Sequence, residues 1–579
     1  MTANLTITTE RVDDIPVLLT QAEKIGIPDL LDSNFVPHGN WQGTSLGWTA
    51  VVWLTHILSE GDHRLNWVQS WVDERLQTLR LCTRQPVREL EWSDDRLGIV
   101  LDALSDGERW QAFERDLNRR TVRVYDLKPK RVRVDSTTAS GYWTVSEKGL
   151  FQFGYSKDHR PDLPQLKVMM SALDPLGMPL ATQVVSGERA DDPLYIPAIQ
   201  QVSESLGEHG LLYVGDCKMA ALGTRAFIQS QGDYYLCPLS EKHLPKETLE
   251  AYLQPVWERE QQTMPIYREN AAGQLRQIAE GYEQSVSQSG EVNGQTDAWR
   301  ERRLIIRSLQ HAQALEDALR ARLAQAQAEV IRLNEHKQGK QRIGERESMQ
   351  TMATAVLKRY QVGGLLKLSV EEHVRERAVR AYGDHPARIE AERDVTVQAA
   401  VDEHAVQDAV RWFGWRVYVT NQPEETLPLE KAILAYREEY LVERGFGRLK
   451  GRPLSLTPMY LQSDDRATGL VRLLSLGLRM LTLLEYKVRQ RLAERKEKLA
   501  GLYAGNPKRA TARPTAEAML EAFKGIDLSI VAIGKEVLRH VTPLSDVHQK
   551  ILSLLDFPAE IYTRLVGQFS KPTGEMTEP

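Results

Sequence analysis

The chain reads as an α/β protein: a mixed sheet with flanking helices, preceded by an all-helical N-terminal domain and interrupted by a large, mainly helical insertion domain. Three observations predict this. Residues 130–240 alternate strand and helix patterns, residues before them show helical periodicity alone, and a helical seam at 304–333 separates that stretch from an acidic helix at 436–450. A chain of 579 residues is long enough for several domains, and the boundaries are expected at 1–128, 129–240, 241–425, 426–500 and 501–579.

The N-terminal segments 48–60 and 66–81 are amphipathic, and 93–106 opens on a Ser cap and runs out at Gly107, as a helix should. Seven of the twelve tryptophans precede residue 111, which suits the core of a helical domain because Trp buries a large apolar area. Gly26 breaks two short helical runs between Thr20 and Leu31, a spacing compatible with a helix-turn-helix.

The segment KRVRVDSTTASGYW alternates charged and apolar residues and delivers Asp135 at the end of a strand. Residues 165–187 form a hairpin through Asp174, Pro175 and Gly177. Asp192-Pro193 opens a helix. An apolar run then breaks at Gly215-Asp216, as a buried central strand ending in a carboxylate would, and a short helix and the strand 233–239 follow. The insertion carries apolar positions Leu315, Leu319, Leu323, Ala326, Val330 and Leu333 at steps of three and four, with a second helix expected near Met349 to Tyr360. Near its end, 412–421 turns strand-like.

Tyr436, Glu443 and Lys450 follow at intervals of seven residues, nearly two helical turns, so one continuous helix would set all three on one face. Two strand-borne aspartates and one helical glutamate are the ligand set of two-metal phosphoryl transfer: Mg²⁺ prefers carboxylate oxygens and keeps several waters, and paired ions serve the attacking and leaving oxygens. Behind that helix, 469–501 forms a long helix, apolar first and basic later, and 501–579 holds a linker and a small helical unit.

Net charge is −5, yet Arg115–Arg133 holds eight basic residues against two acids, and Glu485–Arg513 nine against three, which favours phosphate contact at those places. Cys82, Cys217 and Cys237 match no zinc or disulfide spacing, and no apolar run reaches membrane-spanning length. A reduced, cytoplasmic protein without a membrane role is the expectation.

Asp135, Asp216 and Glu443, in this order and with a long insertion before the last acid, resemble a bacterial insertion-sequence transposase of the DDE type. More narrowly, the chain is similar to the branch whose final helix reads Tyr-x2-Arg-x3-Glu-x6-Lys; that pattern lands on Tyr436, Glu443 and Lys450. Glu439 stands where the pattern has arginine, a charge reversal, and Arg437, Arg444 or Arg448 are the candidates to supply the phosphate contact instead. The order of elements over 130–240 is that of an RNase H-like fold.

The resemblance implies two Mg²⁺ ions, with Mn²⁺ able to substitute, on Asp135, Asp216 and Glu443. It implies double-stranded DNA partners, both the element's terminal inverted repeats and the target, and a homodimer in the synaptic complex. It also implies cut-and-paste strand cleavage and strand transfer, in this branch through a DNA hairpin, and a bacterial, nucleoid-associated location. DNA contacts are expected from Tyr436, Lys450, Arg444, Arg448, Lys157 and Arg160. Trp415 or Trp412 is positioned in sequence to stack on an extruded base. The competing reading is a catalytically inactive, transposase-derived DNA-binding protein, with Glu439 as the mark of a decayed site.

Overall fold

The computed structural model describes residues 5–36, 39–270, 273–335, 345–381, 383, 386–534 and 536–566. Two compact units emerge: the first comprises Met1–Cys237, Gln288–Trp299 and Ala435–Pro579, the second Pro238–Ser287 and Arg300–Leu434.

In the first unit the N-terminal region is mainly helical, but it opens with a strand, β1 (Leu5–Arg11). Two helices, Ile15–Ile25 and Ile27–Asn34, meet at Gly26, whose φ of 75° gives the left-handed cap that ends the first of them. The expected helix at 66–81 is split into Val68–Asp73 and Leu76–Thr83. Ser93 caps Asp94–Leu104, whereas Gly107 opens the next helix behind an Asp106 cap instead of closing the previous one.

The central sheet is built from β2 (Arg131–Ser140), β3 (Gln165–Asp174), β4 (Met178–Ser186), β5 (Leu212–Gly215) and β6 (Tyr234–Pro238), in the spatial order β4-β3-β2-β5-β6. β2–β3 and β3–β4 are antiparallel, while β2–β5 and β5–β6 are parallel. The parallel steps are made through helices Tyr195–Leu206 and Leu222–Ser230, so the sheet is mixed, with both aspartates on neighbouring strands. Asp135 is not at a strand end: β2 runs five residues further, and Asp135 instead marks where β2 outgrows its partner, the pairing with β5 stopping at Val134↔Gly215.

The second unit corrects the expectation of a mainly helical insertion. Its strands are β7 (Met264–Glu269), β8 (Leu275–Val292), β9 (Gln295–Ser308), β10 (Leu366–Val379), β11 (Arg388–Val401) and β12 (Trp415–Thr420), the tip of the β8–β9 hairpin being counted with the first unit. The order β12-β9-β8-β7 forms one sheet and β10-β11 a separate hairpin. The predicted seam begins later than expected, since Leu304–Ser308 belong to β9 and the helix is Leu309–Arg332. Leu319, Leu323, Ala326 and Val330 pack against Met349, Ala353, Val356 and Leu357 of Arg346–Arg359 and against Val395 and Val397 of β11.

Back in the first unit, the long helix Asp464–Arg495 is apolar and long enough to cross a membrane, but 94% of its most apolar window is buried in the protein. Two of its arginines are held internally: Arg479 donates to Asn118 Oδ1 (2.5 Å) and the Pro179 carbonyl (2.6 Å), and Arg472 to the Leu104 carbonyl (2.7 Å). The expected small helical unit at the end also contains β13 (Asp527–Ile533) and β14 (Glu536–Val541), and β1 pairs antiparallel with β13 across the whole chain.

Candidate active site

Asp135 and Asp216 face a narrow cleft lined by Arg133, Gly215, Tyr436, Glu439 and Val442 among others, with free space of about 10 Å³, close to one water-sized occupant. Burial pushes the Asp135 carboxyl up to about 6; Lys157 and the Ser136 N–H pull against that rise, while the Asp216 and Glu439 charges add to it. Ser136 N–H donates to Asp135 Oδ1 at 2.7 Å.

Asp216 is oriented from two sides. The Tyr195 hydroxyl donates to Oδ1 at 2.7 Å, and the Lys218 N–H donates to the same oxygen at 2.8 Å. Burial first, then the Asp216 and Asp135 charges, hold the Tyr195 hydroxyl far above its ordinary range, so it stays a neutral donor. Glycine at 215 makes the approach feasible: a Cβ there would lie 3.1 Å from Tyr195 Cε1 and 2.8 Å from Met219 Sδ.

Lys157, read from sequence as a DNA contact, turns inward. Its ammonium donates to the Ser136 carbonyl (2.7 Å) and hydroxyl (2.8 Å), and lies 3.7 Å from Asp135 and 3.8 Å from Asp191. Asp191 is also held by Lys167 at 2.6 Å, and the two lysines keep it below the usual carboxylate range despite its burial.

The acidic helix is not continuous. One helix ends at Tyr436, residues 437–439 form a turn, and a second helix runs Tyr440–Lys450. Arg133 supplies the cause: its guanidinium, buried against Asp174 (2.9 Å), donates to the carbonyls of Ala435 and Tyr436 (3.4 Å to the latter). Those are the acceptors that a continuing helix would offer to residues 439 and 440. The break aims Glu439 into the cleft and leaves Glu443, one turn along, exposed. Tyr436 lines the cleft, but the expectation that Tyr436, Glu443 and Lys450 share one helical face does not survive the turn.

The other expected DNA contacts are occupied within the protein. Lys450 pairs with Asp158. Arg160 makes a fork to Asp162, 2.8 Å on each arm. Arg444 pairs with Glu485 at 2.6 Å, and Arg448 is buried between Glu485 and Glu517. In the second unit, Trp415 Nε1 donates to the Arg411 carbonyl at 3.0 Å, and Trp412 packs edge-on against Trp257 with centroids 4.8 Å apart, beneath the Lys246 ammonium. Arg448 in particular is a structural cation here, because its burial between two carboxylates leaves no approach for a phosphate.

A family described as "Transposase DDE domain" matches residues 126–480, well over half the chain and all of the cleft. The chain belongs to that family. It is a DDE-type transposase, and divalent-metal nuclease and transesterification chemistry is the general character of such enzymes. No curated protein matches the chain. Among solved structures, one described as "Cryo-EM structure of piggyBac transposase synaptic complex with hairpin DNA (SNHP)" is 7% identical, covering 90% of this chain and 81% of that one, with a TM-score of 0.30. A likeness that loose carries no argument.

For a DDE transposase the cleft has the right donor chemistry: hard carboxylate oxygens, with Asp135 raised first by burial and further by the Asp216 and Glu439 charges, a rise that a bound cation would oppose. Among the described residues, no three acidic, His or Cys side chains converge closely enough to hold an ion. Sequence reasoning missed Tyr195, Arg133 and Asp191. Arg133 alone carried a signal, the basic residue two before Asp135 on the same face of β2.

Proposed function

We propose that this transposase binds the ends of a mobile element and moves it by metal-dependent strand cleavage and strand transfer. The observation that carries the reading is the crowding of Asp135, Asp216 and Glu439 in one cleft on the matched domain. Asp135 and Asp216 would hold divalent ions, Mg²⁺ or Mn²⁺, with the third carboxylate from Glu443, the acid of the family pattern that is exposed in this arrangement, or from Glu439, which already faces the cleft. Bound there, the metal supplies Lewis-acid activation of an attacking water or 3′-hydroxyl and neutralises the leaving oxygen of an in-line displacement. Tyr195 fixes the rotamer of Asp216, and Lys157 balances Asp135 and Asp191 until an ion arrives. Arg133 sets the turn that decides which glutamate faces the cleft. Tyr436 and, once released from Asp158, Lys450 would meet DNA phosphates, and Trp415 would be the stacking residue of the second unit. The partners would be double-stranded terminal repeats and target DNA, assembled on a homodimer, in a bacterial cytoplasm.

The test is cleavage of DNA bearing the element's ends by the full chain in Mg²⁺ or Mn²⁺, compared with Asp135→Ala. Wild-type cleavage lost in the variant is expected; wild type that binds ends but never cuts leaves the inactive DNA-binding relative standing. Mn²⁺ affinity of Glu443→Gln and Glu439→Gln then assigns the third acid. Loss of binding in Glu439→Gln alone would transfer that role from Glu443.

A further inference from the structure

A larger cavity, about 560 Å³, opens between the Tyr440–Lys450 helix and the long helix, walled by Arg444, Arg489, Arg513, Tyr440, Tyr486 and Gln490. At its floor lies Glu485, a carboxylate only 5% exposed. Glu485 Oε1 accepts from Arg444 (2.6 Å), from Arg448 and from the Ala516 N–H (3.0 Å), and Oε2 pairs with Arg489 at 3.1 Å. Burial alone would raise this carboxyl, but Arg448, Arg489 and Arg444 hold it below the usual range. Arg489 in turn is lowered by burial and by the charges of Arg444, Arg448 and Arg513 gathered around it. Glu517 takes up part of Arg448, and Glu438 on the cavity wall is already paired with Arg131 at 2.6 Å.

One buried carboxylate thus orients several guanidiniums without neutralising them. Each retains N–H donors beyond those given to Glu485, in the planar fork that matches a phosphate. Tyr440, 48% exposed on the rim, and Tyr486 add ring faces against which a base or sugar can lie. A volume of this size accommodates a nucleotide-sized group.

We propose that this cavity binds a phosphodiester of a DNA strand, with its phosphate on Arg444, Arg489 and Arg513 and its adjoining nucleoside against Tyr440. The proposal rests on the transposase reading and names a second anchoring point on the helix that already borders the acidic cleft. Arg444 keeps the DNA role expected of it through this cavity, whereas Arg448 serves by holding Glu485.

The test measures fluorescence anisotropy of a labelled 20-nucleotide single strand and a 30-base-pair duplex binding the full chain in EDTA, so that catalysis is absent. Arg489→Gln/Arg513→Gln should weaken strand binding by about tenfold or more and reduce the slope of log affinity against log salt by about one to two. Tyr440→Ala should weaken binding with the slope unchanged. Arg375→Gln, an exposed arginine on β10, controls for lost charge alone and should do neither. Unchanged affinity and slope in the double variant, with wild-type thermal unfolding, overturns the cavity while leaving the transposase reading intact. Should the double variant unfold, Arg513→Gln decides, because Arg513 is exposed and does not bond to Glu485. If wild type binds no DNA at all, both readings fail. Inorganic phosphate and dTMP are the competing source: if millimolar dTMP saturates the cavity while the variants bind DNA like wild type, the ligand is a free nucleotide and the proposal is wrong.

Discussion

Asp135 and Glu485 are carboxylates largely withdrawn from water beside the helix Tyr440–Lys450, and burial pushes both upward, yet the neighbours outweigh it only at Glu485. Around Asp135 the crowd is acidic, and one ammonium at 3.7 Å does not prevent its carboxyl from rising to about 6. Around Glu485 the crowd is cationic, and the carboxyl falls. The first arrangement is incomplete without a cation; the second has cationic capacity left over. Burial sets the sign at Asp135, where one ammonium is too little to reverse it, and loses at Glu485, where three guanidiniums outweigh it. In the same way, a helix end three residues away from a predicted register can exchange one glutamate for another.

The contrast can be broken most sharply at the acidic side. Asp216→Asn and Asp135→Asn should each cost about 10³-fold or more in DNA cleavage while single-strand affinity in EDTA stays near wild type, as read from single-turnover assays and anisotropy. Next in size, Glu485→Ala strands the buried Arg448 and takes the shared partner from the partly exposed Arg444 and Arg489, and should destabilise the fold by ~3–5 kcal/mol, seen as a lowered urea midpoint; a wild-type midpoint would show that the arginines do not depend on it.

A pH experiment sharpens the acidic half. Asp135 moves from 3.8 to about 6 on folding, so the native state binds its proton more tightly. That stability is fully present below about 3.8 and is lost as pH rises through about 6, roughly 3 kcal/mol in the metal-free protein. The difference in stability between wild type and Asp135→Asn should therefore shift by this amount between pH 4 and 7, and Mn²⁺ affinity should rise over the same interval; a flat difference would refute the shift. The smallest effect expected is that of Tyr195→Phe, which frees one oxygen of Asp216 and should weaken Mn²⁺ binding about tenfold, with kcat changed more than KM for DNA.

Much of the central sheet was legible because its signals are local. The β3–β4 hairpin announces itself through Asp174, Pro175 and Gly177, and β5 as an apolar run ending at Asp216. The insertion seam from Leu319 to Val330 follows the helical period and packs as that period requires. What stayed hidden depends on distant or exposed partners. β8 and β9 carry exposed polar residues near their shared Asn293-Gly294 turn, which blurs strand alternation, although that dipeptide is itself a hairpin signal. Tyr195 reads as an ordinary helix residue until the fold brings it to Asp216. The turn at 437–439 is imposed by Arg133 from about three hundred residues upstream, so spacing within the acidic helix had no means of revealing that Glu439 would enter the cleft.

The pairing of β1 with β13 has a consequence for synthesis. Leu5 meets Ile533 and Arg11 meets Asp527, so β1 waits for a strand made about five hundred residues later. At about 5–20 residues per second that interval is on the order of half a minute or longer, during which β1 has no partner strand. A product that stops short of residue 527 leaves it unpaired indefinitely. Synthesis past β13 is thus a structural checkpoint: β1 has no partner strand until residues 527–533 exist.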